Sequence, residues 1–143
     1  MEFVADTDEC CWVAEAVLSG RDVKVRLYTE DETEEAADRT GERAVDHVIR
    51  SWELVRGALV ADLLTAYNEH WADPDCGRNR LSPDEFLNKL RPLSIDYFGV
   101  DEGRVPAHYS VLFDDADIFG SHAILVSWDA PPANISMCAS LAG

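Results

Sequence analysis

Apolar and polar side chains alternate along residues 23–29, with Val23, Val25 and Leu27 on one side and Lys24 and Arg26 on the other. That two-residue period predicts a half-buried strand whose charged positions face water. Residues 10–18 are also rich in strand formers, and the intervening Ser19-Gly20-Arg21-Asp22 has turn chemistry, so the two runs are expected to pair as a β-hairpin. Beyond Gly41 the period changes. Val45, Val48, Trp52, Val55, Leu59, Leu63, Ala66 and His70 step by three and four, which predicts a long core helix. Gly57 lies in its middle and costs up to about 1 kcal/mol relative to alanine, so a kink or break is expected there.

Pro74 and Gly77 end that pattern. A second, short helix is then predicted with Ser82 as N-cap, Pro83 at its first position, Glu85 closing a capping box, and Phe86, Leu87 and Leu90 as its buried side; Pro92 stops it. Four strand-like runs follow, at residues 93–98, 107–113, 122–128 and 135–141. The segments joining them hold Gly99, Asp101, Gly103, Asp114, Asp117, Gly120, Pro131, Pro132 and Asn134, so an antiparallel meander is expected. The predicted architecture is α+β: an antiparallel sheet of about six strands, with a long and a short helix packed on one face. A chain of 143 residues can bury one core, and no linker divides it, so residues 1–143 read as a single domain.

Charge changes the picture more than length does. The formal net charge is −16, and the excess of carboxylates lies toward the two ends of the chain. Such a field repels nucleic-acid phosphates and anionic lipid, so neither nucleic acid nor membrane is an expected partner. It steers a basic protein partner inward. Glu30, Asp31, Glu32, Glu34 and Glu35, together with Asp114, Asp115 and Asp117, are the residues expected to meet that partner. Residues 30–35 also read as a solvated loop or as the acid-rich first turn of a helix. No apolar run approaches the roughly 20 residues of a membrane span, and the first residues carry neither the basic nor the apolar segment of a secretory signal. A cytoplasmic protein is therefore expected.

Candidate chemistry is sparse. Cys10, Cys11, Cys76 and Cys138 lack paired C-x-x-C spacing, so reduced thiols and no structural metal are expected, with Cys10 and Cys11 on opposite sides of the chain. No phosphate-binding glycine loop and no G-x-S-x-G elbow occurs, and no cofactor is implied. Asp114, Asp115, Asp117 and His122, with His108 on the preceding strand, carry the donor types of a divalent-metal hydrolase site. The competing reading is structural: turn aspartates accept backbone N–H bonds, and a histidine at a strand start pairs with a nearby carboxylate or carbonyl. Trp52, Tyr67, His70 and Trp71 likewise read either as an aromatic pocket or as core packing, and helical spacing favours the core.

Trp52, Leu63-Leu64, Tyr67-Asn68, Trp71, the run Leu81-Ser82-Pro83-Asp84-Glu85-Phe86, Leu93-Ser94-Ile95, and Asp117-Ile118-Phe119-Gly120-Ser121-His122-Ala123-Ile124 follow one another in an order and spacing that resemble a bacterial family of small uncharacterised domains. The resemblance covers residues 52–143, closing on Leu141-Ala142-Gly143. In that family a glycine directly precedes the histidine; here Ser121 does, with the glycine one place earlier. The resemblance implies an α+β fold and no established reaction. Small acidic bacterial domains of this kind are associated with immunity against toxins.

Overall fold

A computed structural model describes residues 1–99, 107–130 and 137–142. The expected turn residues Asp101, Gly103, Pro131, Pro132 and Asn134, and the expected strand start at residues 135–136, lie outside them. Seven strands form one sheet in chain order: β1 (Val4–Asp6), β2 (Cys11–Leu18), β3 (Arg21–Thr29), β4 (Arg91–Gly99), β5 (Ala107–Asp114), β6 (Ala123–Ala130) and β7 (Cys138–Ala142). The expected count of six missed β1, which is three residues long and pairs with β2. The hairpin between β2 and β3 turns on Ser19 and Gly20, at φ of 52° and 76°. Two positive φ angles in a two-residue loop make the turn that follows the natural twist of the strands.

One expectation about pairing is corrected. The sheet is antiparallel at every junction except one: β3 and β4 run parallel, with Val25 opposite Ile95 and Leu27 opposite Tyr97. The whole helical middle of the chain is thus the crossover between two neighbouring strands, and a crossover returns the chain to the same end of the sheet.

The helices are α1 (Glu34–Arg50), α2 (Trp52–Leu59) and α3 (Pro83–Lys89), with π-helical turns at Val60–Leu64 and Tyr67–Trp71 extending α2. Helix α1 begins well before Gly41, the expected boundary. Thr33 caps it by accepting from the Ala36 N–H at 3.2 Å, and Glu34 and Glu35 sit in its first turn, where the helix dipole favours negative charge. The helical run is interrupted at buried Ser51, not at Gly57, which lies inside α2 with open space around it. In α3 both bonds of the capping box are present: Ser82 Oγ accepts from the Glu85 N–H at 3.2 Å and Glu85 Oε1 from the Ser82 N–H at 3.1 Å. Helix α3 stops at Lys89, and Pro92 lies buried within β4, next to a bulge at Leu93.

The large apolar side chains of the sheet gather on one face. Val23, Val25, Leu27, Ile95, Tyr109, Val111, Phe113, Ile124, Val126 and Trp128 are buried and share one core cluster with Ala44, Val48, Val55, Leu59, Leu63, Tyr67 and Phe86 from the helical segments. Direct contacts tie the layers: the His47 ring lies 4.3 Å from that of Tyr109, and Trp52 lies 5.8 Å from Phe113. On the other face Lys24, Arg26, Tyr28, Asp96, Phe98 and His108 are only half-buried. His70, placed on the core stripe by its spacing, is exposed.

Candidate functional site

The parallel pairing of β3 and β4 sets Thr29 beside Gly99 at one end of the sheet, and the antiparallel pairing of β1 and β2 sets Asp6 beside Cys11 at that same end. Three carboxylates from the turn between β1 and β2, Asp6, Asp8 and Glu9, therefore join Glu30, Asp31, Glu32, Glu34 and Glu35 from the junction of β3 and α1. Asp129, paired across from His108, closes the same end. All but Asp6 and Asp31 are exposed.

Local hydrogen bonds fix this end. Asp6 Oδ1 accepts from the N–H groups of Asp8 and Glu9, at 3.0 and 3.2 Å, and so shapes its turn. The Asp31 carboxylate accepts from the Thr29 hydroxyl at 2.8 Å, while its backbone carbonyl accepts from the Trp12 indole N–H at 3.0 Å. Arg26 is the cation paired here: its guanidinium reaches Glu9 at 3.2 Å and Asp96 at 3.1 Å. Beside it Tyr28 stacks on Phe98 with centroids 4.6 Å apart, and His108 Nδ1 meets Asp129 Oδ1 at 2.6 Å. Burial, and then the charge of Glu9, push the Cys11 thiol up, so it stays protonated at neutral pH and is a poor nucleophile. Burial, and then Asp96, raise the Tyr28 phenol too.

The second acidic group lies elsewhere. Asp114 pairs with Arg91 at the opposite end of β4, a strand length of roughly 26 Å from Gly99 at the usual rise per residue. Each aspartate there has its own local partner. Asp114 makes a 3.1 Å ion pair with Arg91, and Asp117 accepts from the Ser121 hydroxyl at 2.8 Å. Asp115 is 3% exposed and accepts from the N–H groups of Asp117 and Phe119, at 2.9 and 3.0 Å. It is a bracket inside the loop and offers no oxygen to a partner. His122 stands edge-on to Trp71, with centroids 6.3 Å apart. Among the described residues no three His, Cys, Asp or Glu side chains are grouped to hold a metal ion. All four cysteines are free, Cys11 buried and its neighbour Cys10 exposed.

The aromatic residues of the helical motif act as fasteners. Tyr67 donates to the Asn79 carbonyl at 2.9 Å, and the Asn68 amide makes paired bonds with the backbone of Leu81, at 2.8 and 3.0 Å. Phe119 inserts edge-on among Tyr67, Trp71 and Phe86. The two stretches of resemblance thus meet in space, holding the loop before α3 and the turn after β5 against the helical layer. Ser121 has φ of 69°, a backbone region that suits glycine.

Asp6, Asp8, Glu9, Asp96 and Asp129 were not singled out in the sequence. Their signal was weak: they are dispersed along the chain, and only strand register brings them together with residues 30–35. No helix among the described residues is long and apolar enough to cross a membrane. No curated protein and no solved structure matches the chain. A family model described as uncharacterised protein conserved in bacteria, DUF2262, matches residues 1–136, and the chain belongs to that family.

Proposed function

We propose that this protein is a non-enzymatic binding domain that engages a basic protein partner through the carboxylate-rich end of its sheet. The observation that carries this reading is the meeting of two acidic segments distant in sequence, Asp6, Asp8 and Glu9 with residues 30–35, on one exposed edge where Arg26 is already neutralised by Glu9 and Asp96. A field of one sign on a rigid strand end speeds encounter with an oppositely charged partner and repels wrong ones. Glu30, Asp31, Glu32, Glu34 and Glu35 keep their role as contact residues. Asp114 and Asp117 lie too far away to share a small interface with them, and Asp115 is inside the fold. A basic toxin held inactive by its immunity protein is one partner of this chemistry.

The test compares the immobilised protein with a variant carrying Glu30→Lys, Glu32→Lys, Glu34→Lys and Glu35→Lys, both exposed to lysate of the native bacterium at about 50 mM salt and then eluted at about 500 mM, where screening is nearly complete. The expected result is a basic protein held stoichiometrically by the parent, released by salt and not retained by the variant. Retention of the same proteins by both, or of no basic protein by either, rejects the reading.

A further inference from the structure

One flank of α1 carries Arg43, His47 and Arg50, spaced by four and then three residues, so the three side chains leave the helix on the same side. The His47 ring packs against the sheet, 4.3 Å from the ring of Tyr109 and 6.1 Å from that of Trp128. Arg43 and Arg50 are exposed, about one turn to either side of it.

The hydrogen bonds of this cluster leave two donors over. The Trp128 indole N–H donates to His47 Nε2 at 3.0 Å, so the neutral imidazole carries its proton on Nδ1. That Nδ1–H has no acceptor among the described residues, and neither has the hydroxyl of Tyr109, a residue only 8% exposed. Among the described residues that are not themselves exposed, Ser94 Oγ is the one side-chain nitrogen or oxygen both unpartnered and sealed from solvent. The two spare donors, on rings in contact with each other, therefore both open onto solvent.

The two cations converge on the same place. Burial, and then Tyr97, push the Tyr109 phenol up, while Arg50 and Arg43 both pull against that rise, so each guanidinium lies within electrostatic reach of the hydroxyl. Arg50 acts on the His47 ring as well, adding to the effect of burial. The carboxylate beside them is Asp46, which meets Arg50 at 3.4 Å; with side chains 72% and 63% exposed, that pair is solvated and readily exchanged. Neutral donors flanked by guanidiniums are the donor set of an oxyanion site. A phosphate group spreads its charge over at least three free oxygens and can meet donors arriving from two rings and two arginines, whereas a flat carboxylate presents only two oxygens.

We infer that this flank of α1 binds a phosphate group, with the His47 Nδ1–H and the Tyr109 hydroxyl as neutral donors and Arg43 and Arg50 as its counter-charges. The inference is independent of the protein-binding role, because it uses none of the carboxylates assigned to the partner.

The experiment is an NMR titration of the full chain at about pH 7.5, where histidine is mostly neutral. The ligands are inorganic phosphate, glycerol phosphate and acetate, with sodium chloride at matched ionic strength as the control. The signals followed are the His47 ring nitrogens and the Trp128 indole N–H. An anion accepting from Nδ1–H makes Nε2 a stronger acceptor, so the indole proton should move downfield along with the ring nitrogens. Both phosphates should shift these signals saturably, with acetate at least about fivefold weaker. A monoester bound more tightly than inorganic phosphate points to a phosphorylated molecule, and the reverse order to the free ion; either order supports the phosphate site. Tyr109→Phe keeps the ring and should weaken binding about tenfold, as should Arg43→Gln with Arg50→Gln, both at the surface. Absence of saturable shifts up to about 20 mM overturns the inference. So does undiminished binding by the arginine variant, acetate binding as tightly as phosphate, or sodium chloride reproducing the shifts.

Discussion

The ring of Phe3 occupies the space that a side chain at Gly41 would need: a methyl group there would overlap the ring edge. Phe3 is 1% exposed, and its N–H donates to Asp38 at 2.9 Å, one turn earlier on α1. The missing Cβ therefore lets the N-terminal segment lie flat on the helix. Gly57, by contrast, has no atom within 4 Å of where its Cβ would be. Alanine at Gly41 should cost about 1–3 kcal/mol through overpacking, although it improves helix propensity. Alanine at Gly57 should gain about 0.5–1 kcal/mol. Urea midpoints of the two variants check this, and a gain in both would mean that Phe3 does not rest on α1.

Those glycines also explain which parts of the fold the sequence makes legible. The capping box at Ser82 and Glu85 and the turn at Ser19-Gly20 are complete within four residues, so local chemistry specifies them. The start of α1 is not visible in the same way. Its core face there is built from Ala37, Gly41 and Ala44, residues too small to register as an apolar stripe. The parallel match of β3 to β4 depends on where a long crossover comes back, which no short pattern records. The acidic site suffers equally: the run at residues 30–35 is obvious, but its meeting with Asp6 and Glu9 is a product of register. Asp114, Asp115 and Asp117 look alike as letters, and only the left-handed turn at Ala116 and Asp117 decides which one points inward.

That inward carboxylate should be the one the fold depends on. Asp115 accepts two backbone N–H bonds and holds the loop that seats Phe119, a fully buried ring. Hydrogen bonds to a charged acceptor contribute a net of about 1.5–3 kcal/mol each. Asp115→Ala should therefore cost at least about 2 kcal/mol. Asp117→Ala, which loses a bond at the surface, should cost less than about 1 kcal/mol. Denaturant unfolding of both variants decides it; equal losses would mean that the loop does not need its internal bracket.

His47 gives the fold a pH dependence of definite sign. Its Nε2 accepts from the Trp128 indole N–H at 3.0 Å, so the neutral ring with the proton on Nδ1 is the form that fits. From the sheet it faces Trp128 and Tyr109, whose phenol is pushed up to about 12 by burial and is neutral; on its own helix the nearest charges include Arg50. Burial, and then the charge of Arg50, hold the His47 pKa below the usual histidine range. The unfolded chain thus takes up the proton first. Stability due to neutral His47 is fully present above about pH 6.5, the ordinary histidine value, and declines as pH falls from there through the lower folded pKa. Glutamine at position 47 can still accept from Trp128 and does not titrate. The stability of the parent relative to His47→Gln should therefore fall between pH 8 and pH 5, a difference in which the many shared carboxylates cancel. A constant difference would mean that His47 charges as freely in the fold as outside it.

Asp62 closes an edge of the sheet. Among the described residues strand β7 has a neighbour on one side only, and the Ala139 N–H donates to Asp62 Oδ2 at 2.9 Å. The acceptor comes from the π-helical turn at Val60–Leu64, where the wider winding changes the direction in which side chains leave the helix. An open edge strand with free N–H groups is a template for pairing with another molecule, and a charge placed across it prevents that. Replacing Asp62 by alanine should loosen β7 before the rest of the sheet, speeding amide exchange at Ala139 by about tenfold, the equivalent of one charge-assisted bond at a partly solvated site. The same change should increase self-association with protein concentration. Asp62→Asn keeps an acceptor without the charge, so it should protect the Ala139 amide better than alanine while still permitting more association than the parent. Hydrogen exchange and sedimentation separate the two effects. Unaltered exchange at Ala139 in the alanine variant would mean that β7 is held by its pairing with β6 and by the packing of Ala139 and Leu141 alone.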